Sequence, residues 1–493
     1  MNTGNNLKIQ EILKSLSKQS LIYGVSTALQ PLGGFILLPL YSQYFEKSEY
    51  GTYSLILIIS TIFSTIFHFG INSAFARSYF DYEEKEERIK VFNTALCILL
   101  IGLVIQVNLG LLSAGIISEY ILKNIDYKYL LSVSVITTAL TFLNTGILNN
   151  LRVKEFAWKY SLLSLCGFLI NVLATLLLFK FYSKGIDSPI YASLIANAFT
   201  SFLLILINYN EINLFNINKD EIKILLKFGF PSILASLAIM IGEWGDRFLI
   251  DHFLTRDELG LYSMAFRVAL IYNVLISMPF CLVWNPLMLK LRFHKNIKHI
   301  FYTVTYFYCS VSVIFIFLSS ILLEYFYRFL MFDEKFCDSL ELIPFILISI
   351  FITSLQNIYS AGLFYERKLS YLFYIYFVVG ILNFIFSYYI VQNIGLWGIV
   401  FSFILFKLLS SITIYLVSSK IFSFKIFSFE YLRVLIVIFI LSLIYVYLNF
   451  DDSQVFLFWI YLFISIIILS LTVIGLNRLK YLIPAISFFF TNS

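Results

Sequence analysis

The chain has 493 residues, of which 60% are hydrophobic and 13% charged, whereas a soluble domain runs to about half and about a quarter. With a mean hydropathy of +0.87 it carries more apolar surface than a water-soluble core can hide, which excludes an ordinary soluble protein. The net charge of +6 does not point to nucleic acid, because the Lys and Arg sit between apolar blocks and alternate in density along the chain.

Residues 1–19 are polar and basic, with Ile9, Ile12, Leu13 and Leu16 on one helical face. They predict a short amphipathic helix on the cytoplasmic surface. The first apolar block is too long for a signal-peptide core, and no small-residue cleavage site follows it, so a cleaved leader is not expected. Apolar blocks run over 20–41, 52–75, 92–118, 129–149, 160–179, 189–209, 229–253, 259–287, 299–323, 343–365, 371–391, 396–418, 434–450 and 455–475. Each is about twenty residues long, enough to cross ~30 Å of hydrocarbon as a helix. An all-α polytopic membrane protein of about fourteen transmembrane helices follows. The stretch 481–490 is too short to span and is expected at the surface.

Orientation follows from the cations outside the blocks. The two termini and the loops 76–91, 150–159, 210–228, 288–298, 366–370 and 419–433 carry 24 Lys and Arg, and the alternate loops carry 8. Cytoplasmic segments hold the excess, so both termini are expected in the cytoplasm. The longest outward loop is 324–342, which leaves no large extracytoplasmic domain.

An internal echo sets the architecture. Glu49-Tyr50-Gly51-Thr52-Tyr53-Ser54 recurs as Glu258-Leu259-Gly260-Leu261-Tyr262-Ser263 at an offset of 209, and Asn171 pairs with Asn383 at an offset of 212. Both copies are reached from the same side of the membrane, so the repeats are parallel. The predicted organisation is an N-terminal six-helix bundle (20–210), a charged cytoplasmic linker (211–227), a second six-helix bundle (228–418), and an added hairpin with a tail (419–493).

The stretches Leu37-Leu38-Pro39-Leu40-Tyr41, Glu49–Ser54, Phe69-Gly70-Ile71 and Arg77-Ser78-Tyr79-Phe80 resemble the opening of the polysaccharide-biosynthesis flippases. Lys227-Phe228-Gly229-Phe230-Pro231, Asp246-Arg247 and Gly260-Leu261-Tyr262-Ser263 are similar to the same family in the second half. These belong to the multidrug/oligosaccharidyl-lipid/polysaccharide flippase superfamily. The resemblance implies a two-bundle, alternating-access transporter. Its cargo would be an undecaprenyl-diphosphate-linked oligosaccharide of O-antigen or capsule type, moved from the cytoplasmic to the outer leaflet of a bacterial inner membrane. The lipid II flippase branch has the same helix count, so that count does not separate the two cargoes.

Ionisable groups within spans are the candidate transport residues, since each costs about 2.5–3.5 kcal/mol to insert and so tends to face a cavity or a partner. The seventh block holds Glu243, Asp246, Arg247 and Asp251. Arg247 lies four residues from both Glu243 and Asp251, on one helix face. Asp246 and Arg267 lie at similar depth in the hairpin of the seventh and eighth spans. They are the expected ion pair, with Glu243 as the competing partner and Asp251 expected to be solvated. The plainer alternative is that this cluster only pins the hairpin. A carboxylate in a partly dry cavity can exchange H+ or bind Na+ as a coupling ion.

Lys407 stands alone near the middle of the twelfth span, where a passing diphosphate, an acidic sugar or a neighbouring carboxylate would compensate it. Arg77, closing the second span, is either a positive-inside anchor or the residue that captures the diphosphate headgroup. Pro31, Pro39, Pro279 and Pro286 make the first and eighth spans candidate moving helices. Pro231 opens the seventh. His68, His252, His294 and His299 show no ligand spacing, and Gln30, Asn72, Asn144, Asn197 and Asn357 either line a cavity or bond between helices. Neither these residues nor the five scattered cysteines predict a metal site, cofactor or disulfide framework.

No GxxxxGK[ST] loop is present, so ATP hydrolysis is not expected and an ion gradient, the membrane potential or mass action must drive transport. An exporter of small cationic drugs on the same fold would want a net acidic site, against which Arg267 and Lys407 argue. A membrane glycosyltransferase or polymerase would want a sizeable outward loop with catalytic acids. Here Asp333-Glu334 and Asp451-Asp452 read as solvated loop charges. The expected partners are the lipid-linked oligosaccharide, membrane lipids and other polysaccharide assembly proteins. The chain is not expected to be an enzyme.

Overall fold

The computed structural model describes residues 33–293, 297–329, 333–366 and 368–422. The amphipathic segment 1–19, most of the first span with Gln30 and Pro31, the hairpin over 434–475 and the stretch 481–490 lie outside these residues. Among the described residues the regular structure is all helical, without strands. Eleven helices there are long and apolar enough to cross a membrane, from Lys47–Asp81 to Leu396–Ile421. They fall on the second to twelfth predicted blocks.

The described residues up to Ser263 form one compact unit and those from Met264 onward another. The first contains α1 (Leu38–Tyr44), α2 (Lys47–Phe67), α3 (Ile71–Asp81), α4 (Lys85–Tyr120), α5 (Lys128–Val153), α6 (Ala157–Phe181), α7 (Asp187–Ile207), α8 (Lys219–Phe253) and the start of α9 (Arg256–Ala269). In the second, α9 runs on into a π-helical turn (Asn273–Ser277), α10 (Met278–Lys290), α11 (Ile297–Phe329), α12 (Ile343–Tyr359), α13 (Ala361–Tyr365), α14 (Ser370–Ile394) and α15 (Leu396–Ile421).

Local chemistry sets the helix ends. Glu46 and Glu49 close a reciprocal capping box at the start of α2, and the Asn218 side chain accepts from the amides of Asp220 and Glu221 to open α8. Between α2 and α3 the chain passes through Phe69 (φ 53°) and Gly70 (φ 64°). This left-handed pair breaks one span into two helices. In the eighth span the π-helical turn stands directly before Pro279. Proline has no N–H to give the carbonyl one turn back, and the wider turn absorbs the mismatch.

Packing follows membrane rules rather than aqueous ones. α6 exposes Leu162, Leu165, Leu169, Leu173 and Leu176 at helical spacing, an apolar stripe suited to lipid. Buried amides and hydroxyls join helices instead. In the first unit Gln106 Nε2 donates to Ser64 Oγ at 2.6 Å, Ser201 Oγ donates to Asn144 Oδ1 at 2.7 Å, and Asn171 Nδ2 donates to Ser193 Oγ at 3.0 Å. In the second, Gln356 Nε2 donates to Ser410 Oγ at 2.9 Å and Ser402 Oγ donates to Asn383 Oδ1 at 2.8 Å. Asn144 and Gln356 are 212 residues apart and Ser201 and Ser410 are 209 apart. Asn171 with Asn383, and Ser193 with Ser402, repeat the same two offsets. Each unit therefore carries the same two polar clamps at the spacing of the sequence echo.

Candidate functional site

At one end of the first unit the segments 42–51, 119–128 and 254–258 converge. A side chain at Gly260 would collide with the Lys47 carbonyl, and a Cβ at Gly51 would come within 2.6 Å of the Arg256 carbonyl, so only glycine permits this crossing of α2 and α9. One turn deeper Ser54 Oγ and Ser263 Oγ meet at 2.9 Å. Beside them lies Asp251, whose side chain is 7% exposed. Its Oδ1 accepts from Arg256 Nε at 3.0 Å and its Oδ2 pairs with Lys123 Nζ at 3.0 Å. Arg256 also donates to Thr52 Oγ1 at 3.0 Å and to the Leu122 carbonyl. Asp251 is thus buried and shared by two cations, not solvated as its place in the sequence suggests. The partners come from other segments and exclude water.

The segments 76–91, 150–159 and 210–228 converge at the other end of the same unit. Arg77 is exposed, with its guanidinium carbon 3.9 Å from the centre of the Phe228 ring. One turn away Ser73 Oγ and Ser232 Oγ lie 3.2 Å apart, and Gly70 and Gly229 cross so closely that a Cβ on either would strike the other's backbone or that of Phe69. Buried Glu221 accepts from Tyr82 Oη at 2.9 Å, and this bond, with burial adding to it, raises the Tyr82 pKa. Glu211 pairs with Lys154 and accepts from Asn150 Nδ2 at 3.3 Å. The two groups of converging segments are the two alternate sets that the charge count separates.

Asp246, deeper in α8, is buried and its Oδ2 accepts from Tyr262 Oη at 3.2 Å. The buried Arg247 donates to the Glu243 carbonyl at 2.8 Å, and its guanidinium lies 5.3 Å from the Tyr262 ring centre. The structure therefore brings the Asp246 carboxylate and the Arg247 guanidinium to Tyr262, while the Glu243 carbonyl accepts from Arg247. Asp251 turns instead to Arg256 and Lys123, so the shared face read from the i, i+4 spacing does not hold it to Arg247. Arg267 is exposed in the last turn of α9, in the second unit. Lys407 is half-buried in α15, its Nζ 4.9 Å from the Phe403 ring centre.

The remaining polar residues divide. Asn144 and Asn197 bond between helices, and Asn357 bonds within its own helix. Asn72 borders a small pocket between α3, α4 and α5. His68 Nδ1 accepts from the Gly70 amide at 3.1 Å and its ring packs edge-on to Phe142, a structural role. Sequence reasoning missed Lys123, Arg256, Glu221 and Tyr82. A span with more carboxylates than its own cations can pair, as with Glu243, Asp246 and Asp251 around the single Arg247, is the signal that points to such contacts.

The fold defines a polytopic helical membrane protein. It is similar to the lipid II flippase MurJ in an inward closed conformation, with a TM-score of 0.72, 18% identity, and coverage of 94% of this chain and 99% of that one. It is also similar to a multidrug resistance MATE family transporter of the MOP superfamily in an inward-facing conformation, with a TM-score of 0.64, 16% identity, and coverage of 80% and 94%. An uncharacterized membrane protein of Haemophilus influenzae is 26% identical over 271 residues, and the match spans 53% of this chain and 62% of that relative's length. The model of the polysaccharide biosynthesis protein family matches residues 16–292, more than half of the chain. The chain belongs to that family.

Proposed function

We propose that the protein flips an undecaprenyl-diphosphate-linked oligosaccharide repeat unit, of O-antigen or capsule type, across a bacterial inner membrane by alternating access. Both termini face the cytoplasm, so the Arg77 end of the first unit takes up cargo and the Asp251 end faces outward. The halves 20–210 and 228–418 move about the linker 211–227. Arg77 receives the diphosphate. Glu243, Asp246 and Arg247 move or bind a coupling H+ or Na+, and Arg267 is a further transport residue. Lys407 helps the anion past the middle of the membrane. The protein is a transporter, not an enzyme, and other polysaccharide assembly proteins supply and consume its cargo.

The family match over residues 16–292 is the observation that carries this reading. In cells, loss of the protein should strip the polymer from the surface while lipid-linked repeat units accumulate on the cytoplasmic side. Unchanged surface polymer would refute the reading. A lipid II-type cargo on the same fold is the second reading, favoured by the extent of the likeness to MurJ. Under it, loss would deplete cell-wall precursor from the outer leaflet and spare the polysaccharide.

A further inference from the structure

Asp251 joins segments that are distant in sequence. It sits in the last turn of α8, Arg256 opens α9, Lys123 belongs to the loop between α4 and α5, and Thr52 belongs to α2. Lys123 holds a left-handed backbone (φ 56°), a conformation that a non-glycine residue keeps only when its surroundings fix it. Its Nζ reaches both the Asp251 carboxylate and the Asp251 carbonyl. Two cations share one buried carboxylate, so removing that carboxylate leaves Arg256, 20% exposed at its side chain, beside uncompensated Lys123. The neighbouring contact is a crossing of small residues, Gly51 on α9 and Ser54 on Ser263. The ion pairs and the Arg256–Thr52 bond tie these segments together across this crossing.

We propose that Asp251, with Lys123 and Arg256, is an ionic latch that keeps the Ser54–Ser263 end of the first unit closed and must break for that end to open. The proposal rests on the transport reading for the opening of this end.

The test is disulfide trapping in a variant whose five native cysteines are replaced by Ala. Ser54→Cys with Ser263→Cys reports on the latched end, and Ser73→Cys with Ser232→Cys reports on the opposite end. With the latch intact, both pairs cross-link. Asp251→Asn should lower the yield at the first pair at least roughly threefold and leave the second pair cross-linked. Lys123→Gln should give a smaller loss at the first pair, because Arg256 still holds the carboxylate. Unchanged cross-linking at the first pair in Asp251→Asn would overturn the latch. Loss at both pairs would overturn it too, by making Asp251 a residue that holds the fold. No cargo enters this measurement, so failure of the cargo assignment and failure of the latch are distinguishable.

Discussion

The hydroxyls of Ser54 and Ser263 touch at 2.9 Å, and 209 residues separate them. That number is also the offset of the sequence echo, so equivalent positions of the two copies meet each other. A parallel repeat brings equivalent positions together only near its pseudo-twofold axis. Small residues are suited to that place, because each must pack against its own equivalent.

The crossing at the opposite end gives a steric prediction. Gly229→Ala would drive a methyl group into the Phe69 carbonyl and should destabilise the protein by about 1–3 kcal/mol. A Cβ at Gly115, in α4, meets only ordinary contacts at 3.9 Å and beyond. Gly115→Ala should be neutral or stabilising by up to about 1 kcal/mol. Thermal unfolding in detergent measures both, and equal effects would contradict the close crossing.

The charges within the spans give a prediction about transport. Asp246→Ala and Arg267→Ala should each abolish it. Flipping rates are read beside membrane abundance. Wild-type flipping in either variant, with normal abundance, would make that residue a bystander.

Orientation is tested by labelling. Lys335→Cys, in a cysteine-free variant, lies in the loop expected to face outward. It should react with an impermeant thiol reagent added outside the cell. Reaction from the cytoplasmic side alone would reverse the orientation.

Two further cations bear on the cargo. The contact of Arg77 with Phe228 contributes about 0.5–1 kcal/mol at an exposed site, so its loss should not unfold the chain. Arg77→Ala should lower flipping at least roughly tenfold, about 1.4 kcal/mol in the barrier, with normal abundance. Phe228→Leu should lower it less. Lys407→Ala should lower flipping with folding intact, and Lys407→Arg should keep part of the activity. Wild-type rates in either alanine variant would make that residue a bystander.

Much of the fold is legible in the sequence because a membrane span is a local signal. The blocks from 52–75 to 396–418 meet helices for that reason. The echo of Glu49–Ser54 in Glu258–Ser263 is equally plain, but similarity does not say that the copies touch. The site is less legible because its partners are distant. Asp251 looks like an end-of-span carboxylate until Lys123, 128 residues earlier, closes over it. Asp246 finds the Tyr262 hydroxyl, which a search restricted to opposite charges passes over. Even where the sequence offers a regular spacing, as for Arg247 between Glu243 and Asp251, tertiary contacts decide which neighbour is taken.

The central claim is movement of a lipid-linked oligosaccharide. It is met most directly by reconstituting the purified protein in vesicles that carry labelled undecaprenyl-diphosphate-oligosaccharide, and following the label's appearance in the opposite leaflet. Transfer should run well above that of protein-free vesicles and be lowered by Arg77→Ala and by Lys407→Ala. Transfer no faster than in protein-free vesicles, with the protein folded and an applied ion gradient or membrane potential present, would contradict it.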